Sequence, residues 1–189
     1  MGIDRKGPRG TLTDLPALLW GLAEATFFFI VPDVLITHRA LHGWRPGAIA
    51  ALHAVAGALI GGALMFWLGT RHPEALRGWL DWVPAVSPEM IASVEAQLAT
   101  QGLWSLFLGP LSGTPYKLYA ALTPQAGLGL GALLLISIPA RLLRFLLLAA
   151  IAALLGDWLS RHHGPHMARL AWALGWGGFY TAWFALMPN

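Results

Sequence analysis

A stretch of apolar sequence that contains both cations and helix breakers constrains this chain most. Residues 109–145 read GPLSGTPYKLYAALTPQAGLGLGALLLISIPARLLRF, and they include one lysine and two arginines. The rest of the stretch is apolar enough to lie in a bilayer. A cation at membrane depth is costly unless it faces a partner, water or a substrate. Lys117, Arg141 and Arg144 are therefore the first candidates for a function.

The composition predicts an integral membrane protein with a single domain. Hydrophobic residues make up 57% of the 189 positions and charged residues only 11%, which is unlike a soluble globular protein. The chain has no cysteine, so a disulfide framework, a thiol nucleophile and a thiolate metal site are excluded. The net charge of +3 comes from few charges near the ends of apolar segments. This pattern favours anionic lipid headgroups over nucleic acid as a partner, and no cofactor is expected.

The N-terminal half predicts a re-entrant hairpin followed by a spanning helix. Residues 14–41 open with Asp14 as a helix cap, and the apolar run that follows breaks at Pro32-Asp33 before it resumes. Such a break suits a hairpin that enters and leaves by the same face, where protein buries the irregular backbone. Residues 44–70 predict a membrane-spanning helix whose glycines form a face for close packing, namely Gly57, Gly61 and Gly62.

The first residues are basic, and they resemble the flank of a signal sequence. The cations are Arg5, Lys6 and Arg9. No small-residue cleavage site follows them, so we expect the adjoining apolar segment to be retained.

The second half repeats the hairpin-plus-span pattern. Residues 102–124 form a second predicted re-entrant hairpin, with Pro115 matching Pro32, and residues 127–159 form a second spanning helix that Pro139 should kink. One crossing between the two copies makes them inverted. Between the copies, residues 87–101 predict an amphipathic interfacial helix capped by Ser87, and residues 166–187 predict a final spanning helix. The predicted fold is thus an all-α membrane protein of two inverted repeats with an additional C-terminal transmembrane helix.

Five ionisable residues fall at predicted membrane depth: Glu24, Asp33, Lys117, Arg141 and Arg144. Arg141 and Arg144 are three residues apart and share a helix face, and two planar guanidinium groups match the oxygens of a phosphate.

The second hairpin adds to this cationic group. We predict Thr114 as the N-cap and Pro115 as the first helical residue of its outgoing arm, so that the positive helix end and Lys117 form an anion site. The candidate substrate-binding residues are Lys117, Arg141, Arg144, Thr114 and Tyr116, and the candidate proton-coupling residues are Glu24 and Asp33. The alternative is that all five charges pair with one another and only hold the repeats together, which leaves one positive charge over.

The histidines form no predicted metal site. His53 lies in a spanning helix and reads as a packed residue. His162, His163 and His166 lie in a polar turn with Asp157 as the nearby acid, so a solvated turn is preferred to a metal centre.

Three short segments resemble the DedA superfamily of SNARE-associated, or VTT-domain, membrane proteins. They are Glu24 with residues 27–32, the segment PLSGTPYK at residues 110–117, and RLLRF at residues 141–145. The Pro-Tyr-Lys turn is most similar to the YqaA-like branch. The resemblance covers about residues 15–156. It departs from the family at Asp33, where a glycine usually follows the first proline.

The resemblance implies a multi-pass protein of the bacterial inner membrane. Members are linked to moving polyprenyl phosphate carriers or phospholipids between leaflets, with proton coupling. The acidic pair of the family corresponds to Glu24 and Asp33, and the basic pair to Arg141 and Arg144. We therefore expect a transporter of lipid phosphates, not an enzyme.

Two other functions stay open from the sequence. One is a structural or assembly protein held by intramembrane ion pairs. The other is an enzyme acting on lipid phosphates, suggested by Ser112-Gly113 but without the histidine that such phosphatases need. The sequence also leaves open which lipid is moved and whether the chain forms a homo-oligomer.

Overall fold

The computed structural model describes residues 14–84, 86–109 and 113–186. The predicted basic flank at Arg5, Lys6 and Arg9 lies outside the described residues. So do Pro110 to Ser112, at the centre of the second predicted break, and residue 187, at the end of the final predicted span.

The described chain is helical, and no strand occurs in these three segments. This confirms the all-α prediction over the described residues. The helices in chain order are α1 (Leu15–Glu24), α2 (Asp33–Ala40), α3 (Trp44–Arg71), α4 (Pro73–Leu80), α5 (Pro88–Gln101), α6 (Leu103–Leu108), α7 (Tyr116–Leu122), α8 (Leu130–His163) and α9 (Pro165–Leu186).

The first 27 described residues form two short helices instead of one long helix. The Asp14 carboxylate caps α1 by accepting the Ala17 N–H at 3.3 Å. Helix α1 ends at Glu24, and α2 begins only at Asp33, with Pro32 at its N-cap. The non-helical residues between them therefore bring an acidic residue to each side of the break.

Glycines of α3 allow two neighbouring helices to approach closely on different sides. A Cβ atom at Gly57 would overlap the Leu18 carbonyl of α1, and one at Gly61 would lie 2.8 Å from the Ala25 Cβ. Gly62 instead faces the Tyr116 hydroxyl of α7. The small residues thus give α3 contact with both predicted hairpins.

The segment between the two halves contains one helix more than predicted. Ser87 caps α5 by accepting the Met90 N–H at 3.2 Å, and α4 precedes it with Pro73 in its first turn. Arg77 of α4 donates to the Glu95 carboxylate of α5, and this hydrogen bond and the carboxylate charge raise the pKa of Arg77.

The prediction for the start of α7 is wrong by one residue. Thr114 is not the N-cap; Pro115 occupies that position, the helix starts at Tyr116, and no side chain caps it. A proline in the N-cap position also precedes α2, at Pro32. The physical reason is the extended backbone at Pro115, with φ −61° and ψ 130°, which places this residue outside the helix.

Two helices of the described chain are long and apolar enough to cross a membrane. These are α3, with 28 residues, and α8, with 34, and both have a mean hydropathy of 2.0 over their most apolar stretch. Helix α8 continues through Pro139 without a break. Helix α9 has 22 residues, but its glycines, tryptophans and tyrosine leave it less apolar than these two.

The buried apolar residues form two clusters along α3 and α8. One packs the C-terminal half of α3 against α4, α5, α7 and Leu133 of α8, and the other packs α1 and α2 against the N-terminal half of α3 and Phe145 of α8. In α9 only Ala168 is buried. Helices α3 and α8 thus form the scaffold, and Arg141 lies where the two clusters meet, between Tyr116 of one and Phe145 of the other.

Candidate functional site

The structure brings all seven sequence-predicted site residues to one cavity. Its volume is about 1010 Å³. The residues come from α1, α2, the start of α7 and the middle of α8, and they are Glu24, Asp33, Thr114, Tyr116, Lys117, Arg141 and Arg144. Helix breaks next to Asp33 and Tyr116 are what allow short helices to present polar side chains here.

Arg141 is held by one ion pair and by two aromatic rings. Its guanidinium group donates to the Glu24 carboxylate, and both side chains are less than 10% exposed. The guanidinium carbon also lies 4.6 Å from the centre of the Tyr116 ring and 5.1 Å from that of Phe145. An arginine that is paired and stacked in this way is pre-organised as a structural link between α1 and α8.

Arg144 occupies a more open environment than Arg141. It donates to the Asp33 carboxylate, and its side chain is 29% exposed while that of Asp33 is fully buried. The Oδ1 atom of Asp33 has no hydrogen-bond partner among the described residues. The two arginines therefore share a helix face but not a role, because only Arg144 presents a substantial surface to the cavity.

Lys117 is a buried cation that is hydrogen-bonded to a neutral group. It is 2% exposed, and its Nζ atom donates to the Phe28 carbonyl at 2.7 Å. None of the ion pairs within the described segments includes Lys117. The polar end of the cavity thus holds three cations and two carboxylates, and its formal charge with all five ionised is +1.

Tyr116 and Thr114 make different contacts at the polar end of the cavity. The Tyr116 hydroxyl is hydrogen-bonded to the Ser137 Oγ at 2.9 Å, which fixes the ring against Arg141. Thr114 lines the cavity, and its backbone N–H donates to the Gly109 carbonyl at 3.2 Å. Helix α7 has only seven residues and no N-terminal side-chain cap, so the positive charge of this site comes from side chains and not from a helix end.

The rest of the cavity wall is mostly apolar, and much of it comes from α9. The site residues predicted from the sequence do not include Trp172, Trp176, Tyr180 or Trp183, yet all four line the cavity. Their spacing of three and four residues was the available signal, because it places them on one helix face. The spacing does not show which part of the protein this helix face contacts.

Hydrogen bonds tie this face of α9 to α2 and to the helix break before it. The indole N–H groups of Trp172 and Trp176 both donate to the Thr37 hydroxyl, at 3.1 and 2.9 Å. Further along α9, the Tyr180 hydroxyl accepts the Val31 N–H at 3.0 Å. These bonds hold α9 across the cavity although almost none of its side chains is buried.

The histidines lie outside the cavity lining. His53 is hydrogen-bonded to the Ile49 carbonyl, and His162 to the Trp158 carbonyl, each four residues earlier in its own helix. Among the described residues, no group of three potential metal-ligating side chains occurs.

No protein-family model, curated protein or solved structure matches the chain. The resemblance to the DedA superfamily therefore stays a prediction from the sequence motifs.

Proposed function

We propose that this chain is a multi-pass membrane protein that binds a phosphate-bearing lipid and moves it between leaflets. The observation that carries the proposal is a single cavity that joins a cationic polar end to a long apolar wall. A lipid with an anionic phosphate and a hydrocarbon tail has the same two parts. The net positive charge at the polar end supplies electrostatic complementarity to a phosphate.

In this proposal Arg144 and Lys117 bind the headgroup, and Arg141 positions them. Arg144 is exposed to the cavity, and a phosphate can compete with Asp33 for its guanidinium group. Lys117 lies beside the same cavity and supplies a positive charge that no described ion pair balances. The Thr114 hydroxyl lies at the cavity wall, where it can contact the headgroup. The Tyr116 ring holds Arg141 against Glu24.

Proton coupling follows from the competition for Arg144. Protonation of Asp33 weakens its ion pair with Arg144, so a phosphate competes better for the guanidinium group. Deprotonation then returns Arg144 to Asp33 and favours release. Glu24 is paired with Arg141, which lies on the same helix, α8, as Arg144. A change at Arg144 therefore also affects the Glu24–Arg141 pair.

The membrane architecture belongs to the same proposal. The residues around Pro32 and Pro115 form the tips of two re-entrant hairpins, each followed by a spanning helix, in two inverted repeats within the bacterial inner membrane. Three observations support it: both prolines hold the N-cap position, the two predicted hairpins approach α3 on different sides at Gly61 and Gly62, and α3 and α8 are apolar enough to cross a bilayer.

Lipid retention and transfer test the proposed function. The purified protein should retain phosphatidic acid or a polyprenyl phosphate over phosphatidylcholine in native mass spectrometry. In liposomes it should speed the transfer of a fluorescent phosphate lipid between leaflets, and a pH gradient should change the rate. Equal retention of zwitterionic and phosphate lipids, with transfer no faster than in protein-free liposomes, would contradict the proposal.

Cysteine labelling tests the re-entrant topology, and the cysteine-free chain makes each introduced thiol unique. Positions 15 and 42 flank the first predicted hairpin, and positions 100 and 126 flank the second; all four are exposed. We expect Leu15→Cys and His42→Cys to react with an impermeant thiol reagent from one side of the membrane. Thr100→Cys and Ala126→Cys should react from the other side. Labelling of the two ends of one hairpin from opposite sides would exclude that hairpin.

A second candidate function, structural support by ion pairs, is favoured by one observation. Both carboxylates at the polar end of the cavity are already paired with arginines. A purely structural role does not explain the buried charge of Lys117. Variants of Arg141 and Lys117 distinguish this candidate from the translocase.

A further inference from the structure

The apolar part of the cavity is a groove between α8 and α9. Helix α9 returns along α8 after the turn at Gly164, and the two helices line opposite sides of the cavity. The α8 side continues from Arg144 along one face, at Leu148, Ile151, Leu155 and Leu159. At 1.5 Å per residue, the distance from Arg144 to Leu159 is about 22 Å. The groove is therefore long, straight and continuous with the cationic end.

Side chains along this groove leave space between the two helices. Ile151 and Leu155 line the groove and are 44% and 57% exposed. On the α9 side the lining alternates large aromatic residues with small ones such as Ala171 and Gly175. A Cβ atom at Gly175 would meet no atom within 4 Å. Two directly packed helices would leave no such gap. The open space between α8 and α9 is therefore a place where another molecule can bind.

We propose that this groove binds one hydrocarbon tail of the phosphate-bearing lipid whose headgroup lies at Arg144 and Lys117. The inference rests on the proposed function, and it adds that the protein holds the tail as well as the headgroup. Two features select this occupant over a protein segment: the groove is continuous with a net-positive end that suits a phosphate, and its walls are apolar along their length.

The groove guides the tail through shape, not through the hydrophobic effect. A tail leaving the bilayer for the groove exchanges one apolar environment for another, so burial of apolar area gives little gain. Contacts between the tail and the walls of α8 and α9 instead determine its direction. The expected signature is a fixed position of the tail next to α9, which a proximity measurement detects better than an affinity does.

Two glycines of α9 provide a matched pair of variants. Gly175→Leu places a side chain in the groove, where the structure has free space. Gly177→Leu makes the same change two residues later, about 200° around the helix, at a position that does not line the cavity and is equally free of neighbours. Both changes raise helix propensity by the same amount, so differences in folding are small.

Tryptophan quenching by tail-brominated lipids measures the tail position, because Trp172, Trp176 and Trp183 line the groove. In nanodiscs of phosphatidylcholine, tail-brominated phosphatidic acid should quench the wild-type protein more than the same fraction of tail-brominated phosphatidylcholine does. Gly175→Leu should lose this excess quenching completely, and Gly177→Leu should keep it. Native mass spectrometry of the same proteins reports whether phosphatidic acid is retained at all.

The outcomes separate the tail subsite from the proposed function. Retention of phosphatidic acid without excess quenching, or with equal excess in Gly175→Leu and the wild type, would overturn the tail subsite and leave lipid binding in place. No preferential retention of phosphatidic acid by the wild type would overturn both. Loss of the excess in Gly177→Leu as well as in Gly175→Leu would also count against the groove.

Discussion

Replacing Arg141 by glutamine is expected to lower the free energy of unfolding by about 3–5 kcal/mol. The change leaves the Glu24 carboxylate buried without its cationic partner, and it removes the group stacked between Tyr116 and Phe145. Thermal unfolding in detergent measures the effect. Arg161→Gln is the matched control, because it breaks an exposed pair with Asp157 on the same helix, and such pairs contribute about 0.3–0.5 kcal/mol.

A charge swap identifies the partner. Glu24→Arg combined with Arg141→Glu should recover part of the lost stability, because the two groups remain opposite each other with the charges exchanged. Glu24→Arg combined with Arg144→Glu should recover less, since Arg144 pairs with Asp33. An Arg141→Gln protein as stable as the Arg161→Gln control would show that this buried pair does not hold α1 to α8.

Replacing Lys117 by methionine is expected to change stability and lipid binding in opposite directions. Lys117 is almost fully buried, and its ammonium group donates to a backbone carbonyl instead of a carboxylate. Removing a buried charge that belongs to no ion pair among the described residues should keep or raise the free energy of unfolding. Loss of a charge-assisted contact of about 1.5–3 kcal/mol should weaken binding of phosphatidic acid by about 10- to 140-fold.

Lys117→Arg is the control for charge, since it keeps the cation but changes its shape. We expect its binding of phosphatidic acid to lie much closer to the wild type than that of Lys117→Met. Binding can be measured by lipid titration in nanodiscs, and stability by thermal unfolding of the same samples. A Lys117→Met protein that binds the lipid normally and unfolds at lower temperature would favour the structural role over the translocase.

Local sequence patterns were enough to predict several elements of the fold. Asp14 and Ser87 cap helices as expected, because a cap depends on a side chain and a backbone N–H only three residues away. The helix interruptions before Asp33 and Tyr116 followed from proline for the same local reason. The all-helical class followed from long apolar runs.

Other elements could not be read from local patterns. Helix α4 was missed because the segment after α3 is polar and rich in proline, yet Leu76 and Leu80 are buried against neighbouring helices. The N-cap of α7 was misplaced because threonine is the better capping residue, whereas the backbone at Pro115 is extended.

The sequence by itself determined which charged residues belong to the candidate site, and the tertiary structure decided how they are arranged. Cations and carboxylates in apolar segments can be identified from the sequence alone, because their burial is costly wherever they pack. Their pairing depends on contacts across 117 positions for Glu24 and Arg141 and 111 for Asp33 and Arg144. The same distant contacts enclose Arg141 between two rings, leave Arg144 facing the cavity, and turn the aromatic face of α9 into its wall. No local spacing encodes these differences, since they arise only when α1, α2, α8 and α9 are packed together.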